Sequence, residues 1–257
     1  MLFKETGKAI NPKMIFLHGG GLSAWSLDSV AALLKDRFYI IRPVIDGHGE
    51  DGKETFLSIE DSAAKLIDYI DHHCNGKVHL LCGLSIGAQI VTEVLAKRQD
   101  ITDFAVIESA LVIPIKKTTA VMAPINALSY GLIGNKSFSK MQAKALCLPP
   151  EKFEPYYQDS LRMSKQSLMN MARSNGTYAL KKDISKTKAK VLIVVGQKEL
   201  SIMKKSALLL NREIPHSRLL VVKGMKHGEL SLKYPERLVE LIKELLSTSD
   251  SLDFEKA

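Results

Sequence analysis

Cysteine is scarce and badly spaced for joint work. The 257-residue chain has three, Cys74, Cys82 and Cys147, an odd number with no C-x-x-C pair. That excludes a disulfide framework and offers no zinc-ligand spacing; Cys82 is expected to pack as a small apolar residue. No apolar run reaches the roughly 18 residues that a bilayer crossing requires, and the opening MLFKETGKAI has no apolar h-region of a secretory signal. No membrane span is expected, and the expected location is the cytoplasm. No internal repeat or low-complexity segment is present.

Acidic residues are outnumbered, and the formal net charge is +8. Lysine pairs such as Lys116-Lys117, Lys181-Lys182 and Lys204-Lys205 carry much of it. A basic balance raises nucleic acid or anionic membrane as partners. The densest cluster, KKDISKTKAK at 181 to 190, has no aromatic residue for base stacking and fits no recognised binding fold. It reads as solvated lysine-rich surface, so nucleic acid is not an expected partner.

What is present is an ordinary globular composition, 46% hydrophobic and 25% charged, in a length that suits one large α/β domain with an insertion. Six Val, Ile and Leu-rich runs read as strands buried on both faces: 13 to 19, 38 to 45, 77 to 83, 103 to 109, 190 to 196 and 217 to 224. Helical patterns fall at about 26 to 36, 58 to 73, 86 to 98, 201 to 213 and 235 to 247, and Ser58 with Asp61 resembles a capping box. The alternation predicts a doubly wound, mainly parallel α/β sheet of about six strands.

From 114 to 188 the alternation stops. No convincing strand occurs, and helical stretches are broken at Pro124, Gly131, Gly134, Pro149-Pro150, Pro155 and Gly176. An insertion of small helices is expected there, with a core of 1 to 113 and 189 to 257. Met122, Met163, Met169, Met171 and Met203 are either core packing or the lining of a site for an apolar substrate.

The stretch VHLLCGLSIGAQIVTEVLAKR, 78 to 98, places Ser85 between Gly83 and Gly87 where a strand turns into a helix. A serine there can be a plain helix N-cap. The G-x-S-x-G arrangement also meets the requirements of a nucleophile elbow, a turn too tight for flanking side chains that holds a hydroxyl above the sheet edge. A serine hydroxyl needs a base, and that base needs an orienting group. His227, in VVKGMKHGEL, follows the last strand at the sheet edge where open α/β folds place their sites. His18-Gly19-Gly20-Gly21 follows the first long strand. With Ile86, whose amide opens the helix after the elbow, Gly20 would form a two-donor oxyanion hole.

These residues carry a resemblance. The order HGGG, DGHG at 46 to 49, GLSIG, a helical insertion, GQKE at 196 to 199 and KHGE resembles the α/β-hydrolase fold superfamily over roughly residues 13 to 247. The resemblance implies a lid, a Ser, acid, His triad in that chain order, and hydrolysis of a small or medium-chain apolar ester without cofactor or metal. Few residues precede the first core strand, so a trimmed, six-stranded sheet is expected. Asp46 and His48 would brace the loop beside the site, and Trp25 would pack near the pocket mouth. For the acid, Glu199 matches the family's G-x-x-D position with Glu for Asp; Glu108, ending the preceding strand, matches the alternative acid site of some members. Glu199 is favoured. The same constellation would serve a thioesterase, an aminopeptidase, a C–C bond hydrolase, an acyltransferase or, without turnover, a small-ligand receptor. Relatives that use a carboxylate nucleophile are disfavoured by Ser85.

Overall fold

The computed structural model describes residues 1–115 and 130–247. Its strands are β1 (Leu2–Thr6), β2 (Lys13–Leu17), β3 (Tyr39–Val44), β4 (Val78–Leu84), β5 (Thr102–Glu108), β6 (Lys190–Gly196) and β7 (Ser217–Val222), side by side in the order β1-β3-β2-β4-β5-β6-β7. All neighbours are parallel except β1, which pairs antiparallel with β3. The sheet therefore has seven strands and not six. β1 is a half-exposed edge strand, LFKET, too polar to give the apolar run that marks the others.

Buried strands alternate their side chains between two cores. On β2, Ile15 and Leu17 face the layer of α2 (Ile59–His73), α3 (Ile86–Lys97) and α7 (Ser201–Glu213). Met14 and Phe16 face the layer of α1 (Asp28–Leu34) and α9 (Pro235–Ser247). A strand with both faces covered must be apolar throughout, which is why KMIFL is a continuous run. Ser58 caps α2 by accepting the Asp61 N–H at 3.1 Å, and the cap's worth is about 1 kcal/mol.

Between β5 and β6 the described chain carries three helices of eight residues or more, α4 (Lys136–Ala145), α5 (Phe153–Arg162) and α6 (Lys165–Thr177). Met122 and Pro124 lie outside the described residues, as do residues 248 to 257. A short helix, α8 (Glu229–Lys233), follows β7. No helix among the described residues is long and apolar enough to cross a membrane.

Candidate active site

β4 ends in a strained turn. Ser85 has φ 54° and ψ −114°, a region that costs a non-glycine residue about 1–3 kcal/mol. Its neighbours explain the spacing of the glycines. A Cβ on Gly83 would sit 2.4 Å from the Gly87 carbonyl oxygen, and one on Gly87 would sit 2.6 Å from the Leu17 and His18 carbonyl oxygens. The turn is pinned by the Ser85 N–H, which donates to the Glu108 carbonyl at 2.9 Å. Ile86 then opens α3, so its N–H belongs to the first turn, which has no intrahelical acceptor.

His227 stands in the loop after β7. Its Nε2 lies 2.9 Å from Ser85 Oγ and its Nδ1 lies 2.7 Å from Glu199 Oε2. Glu199 is fully buried as a side chain, whereas 43% of the His227 side chain is exposed. The loops that carry them are zipped together. Lys198 N–H donates to Met225 O, and the Gln197 side-chain oxygen accepts the Gly224 N–H, both at 2.9 Å. Gly196 allows that approach, since a Cβ there would meet the Met225 carbonyl oxygen at 2.5 Å.

Burial alone would raise the Glu199 carboxyl. Hydrogen bonds from His227, the Gly196 N–H and the Ser109 hydroxyl outweigh it and hold the group below the ordinary carboxylate value. An ionised Glu199 accepts only, so Nδ1 of His227 carries the proton and Nε2 is left to accept from the Ser85 hydroxyl. Both Gly196 N–H and Ser109 Oγ reach Glu199 Oε1 at 2.7 Å.

The sequence gives little to mark Ser109. Its only signal is position: a polar residue at the carboxyl end of a central strand, which also reads as an ordinary turn residue. Its φ of 58° is a feature only the backbone reveals.

Ser85, Glu199 and His227 thus come together, and Glu108 does not join them. Both Glu108 carboxylate oxygens go to Ser231 on α8, to its hydroxyl and its N–H. Complete burial raises the Glu108 carboxyl to about 7, against the lowering effect of Ser231.

Gly20 lies beside the elbow: a Cβ on it would be 3.7 Å from Ile86 Cγ2. His18 braces this loop. Its Nδ1–H donates to the Gly19 carbonyl at 2.9 Å and its Nε2 accepts the Ile45 N–H at 3.1 Å. Burial, with the nearby His48, pushes its pKa down to about 3, so it stays neutral. His48 is also buried and donates from Nδ1 to the Asp46 carbonyl at 3.0 Å. The Asp46 carboxylate pairs with Lys65. Neither group hydrogen-bonds to Ser85 or His227 among the described residues.

The helices of the insertion are tied to this edge. On α6, Ser167, Asn170 and Ser174 share one face and bond to the 56–59 backbone. Ser167 Oγ accepts the Phe56 N–H at 3.2 Å, Asn170 donates to the Phe56 carbonyl at 2.9 Å, and Ser174 Oγ accepts the Ile59 N–H at 3.0 Å. Held there, α6 brings Met171 Sδ to 2.8 Å from where a Gly20 Cβ would be. Met163 is buried, and Met203 packs in the core beneath the sheet. Trp25 Nε1 donates to Asp159 Oδ2 on α5 at 2.6 Å.

The described residues hold no cluster of three or more metal-ligating side chains. Similar folds occur among solved structures. An α/β-hydrolase family protein from Desulfitobacterium hafniense matches with TM-score 0.76 at 20% identity, covering 95% of this chain and 100% of that one. An esterase from Thermogutta terrifontis matches with TM-score 0.76 at 20% identity, covering 96% and 93%. An enol-lactonase from Burkholderia xenovorans LB400 matches with TM-score 0.75 at 15% identity, covering 96% of each. At these identities the likeness is one of fold. A search of curated protein sequences finds no match. Residues 9–231 match the serine aminopeptidase S33 family, and with that span the chain belongs to this family of α/β hydrolases.

Proposed function

We propose that the protein is a serine hydrolase that cleaves a carboxylic ester of a small or medium-chain apolar substrate through an acyl-enzyme. The observation that carries the reading is the unbroken line Glu199 Oε2, His227, Ser85 Oγ, with contacts of 2.7 and 2.9 Å. Ser85 Oγ attacks the carbonyl while His227 Nε2 takes its proton. The oxyanion that forms is held by the Gly20 and Ile86 N–H groups, which have no other acceptor among the described residues. Collapse breaks the bond to the alkoxy oxygen, and His227 returns the proton to the departing alcohol. Water then repeats the sequence on the acyl group, releasing the acid and restoring Ser85. Glu199 keeps the imidazole in the required tautomer. Ser85, His227, substrate and water account for every proton and electron pair, so no cofactor is called for.

In this reading the segment 114 to 188, of which 116 to 129 lie outside the described residues, supplies a lid through α4, α5 and α6, and the core is assigned to 1 to 113 and 189 to 257, of which 248 to 257 lie outside the described residues. Met171 against Gly20 supports an apolar wall over the oxyanion loop. A series of p-nitrophenyl esters from two to eight carbons tests it. kcat/KM should rise with chain length through a lower KM, each buried methylene contributing up to about 0.8 kcal/mol. Equal values across the series would remove the apolar site, and cleavage only of aminoacyl p-nitroanilides would replace the esterase with an aminopeptidase.

A further inference from the structure

A cleft of about 1150 Å³ lies outside the triad, and none of Ser85, Glu199, His227 or Gly20 lines it. One wall is α4 with the 147–153 turn; the other is Trp25 with the 231–236 segment. Its apolar floor includes Trp25, Leu148, Phe153 and Leu232, which belong to one hydrophobic cluster with Leu84, the residue before Ser85. That volume is ample for a small-molecule ligand.

The charges in this cleft are unbalanced in a specific way. Lys140 and Lys144 stand one helical turn apart on α4, a helix without an acidic residue, and both face the cleft. Like charges at that spacing repel. Neither has an acidic partner among the described residues, whereas Lys136 on the same helix pairs with Glu154. Lys140 Nζ lies 5.6 Å from the centroid of the Phe153 ring, at the boundary of charge and apolar floor. The other lining lysines are engaged: Lys233 pairs with Glu229 at 3.0 Å, and Lys152 donates to the Trp25 carbonyl at 3.4 Å. Glu151 and Glu236 also line the cleft, and Glu236 lies in the first turn of α9, where the helix dipole already favours a carboxylate.

We propose that the cleft is a second binding site, for a phosphate monoester that carries an apolar tail. Two ammonium groups one turn apart suit a phosphate with several acceptor oxygens, and the floor of Trp25, Leu148, Phe153 and Leu232 takes the tail. Such a ligand would also bear on the catalytic loop. α8 begins two residues after His227, and Leu232 on it donates its N–H to Gly228 O at 3.2 Å. The site stands independently of the hydrolytic reading.

Trp25 is the chain's one tryptophan and lines both this cleft and a smaller pocket beside Asp159, so its emission detects binding without turnover and the Lys140 and Lys144 variants assign the signal to the cleft. Octyl phosphate titrated into the whole protein should change that emission saturably. Inorganic phosphate should compete, and octanol should bind about tenfold more weakly or worse. The double variant Lys140→Gln, Lys144→Gln should lose about tenfold or more in affinity, while Lys140→Arg, Lys144→Arg should retain it. No saturable change, equal binding of octanol, or undiminished binding to the Gln variant would overturn the proposal. If the Gln variant does not fold, the salt dependence decides on the unmodified protein: affinity must fall as salt rises, and a salt-independent affinity overturns the proposal equally.

Discussion

The Ser109 hydroxyl donates to one carboxylate oxygen of Glu199 at 2.7 Å while His227 holds the other at the same distance. Ser109 thereby fixes the plane of the carboxylate that faces the imidazole. Its neighbour Glu108 ties down the other two parts: the Glu108 carbonyl accepts the Ser85 N–H, and its side chain holds Ser231 on the helix that follows His227. Two consecutive residues at the end of β5 thus contact Glu199 and the supports of Ser85 and His227.

Removing the Ser109 hydroxyl should loosen the carboxylate without touching substrate. Ser109→Ala is expected to lower kcat by about tenfold, the worth of one hydrogen bond to a charged group, with KM unchanged. Steady-state kinetics check this; a KM effect with kcat intact would place Ser109 against the substrate instead.

The two carboxylates should separate by kinetics. Glu199→Gln is expected to lose on the order of 10⁴ in kcat, because the amide disfavours the imidazole tautomer that the serine needs. Glu108→Gln can still bond Ser231 and should stay within a few-fold of the parent. The reverse ranking would make Glu108 the acid.

Glu108 also predicts a pH-dependent stability difference. Its folded-state carboxyl is raised to about 7 from an ordinary 4.5, so between those values the folded protein keeps a proton that the unfolded chain has released. Stability contributed by this group is therefore present below about pH 4.5 and lost as pH rises to 7. Glu108→Gln should be more stable than the parent at pH 8, by up to on the order of 3 kcal/mol, and show little difference at pH 4. Urea melts at the two pH values measure it, and an equal difference at both would mean that Glu108 does not carry the shift.

Met171 and Gly20 should be coupled. Gly20→Ala puts a methyl 2.8 Å from Met171 Sδ; the flexible thioether can swing aside, so the cost should stay below about 1 kcal/mol, expressed as a slightly displaced oxyanion loop and a few-fold lower kcat. Met171→Ala should restore much of that kcat in the double variant. Additive effects would mean that the two residues do not press on one another.

The legible parts of the chain were those where a local rule operates alone. The five inner parallel strands were marked because strands covered on both faces must be apolar; β7, expected to be buried on both faces, is instead the partly exposed far edge of the sheet, and β1, exposed at the opposite edge, carries no apolar run at all. Gly83, Ser85 and Gly87 were legible because steric closeness within five residues demands their types. His227 followed from its place at a strand end. Ser109, the clasp of Ser167, Asn170 and Ser174 on residues 56–59, and Glu108's use by Ser231 were not, because each partner lies far along the chain and serine or asparagine in a helix reads as ordinary surface.

The central claim is that Ser85 is a nucleophile activated by His227. The most direct measurement is reaction of the folded protein with a fluorophosphonate, followed by mapping of the adduct by mass spectrometry. Stoichiometric labelling on Ser85, lost in Ser85→Ala and slowed by several orders of magnitude in His227→Ala, is the expected result. Failure of the folded protein to label, or an adduct on any other residue, would contradict it.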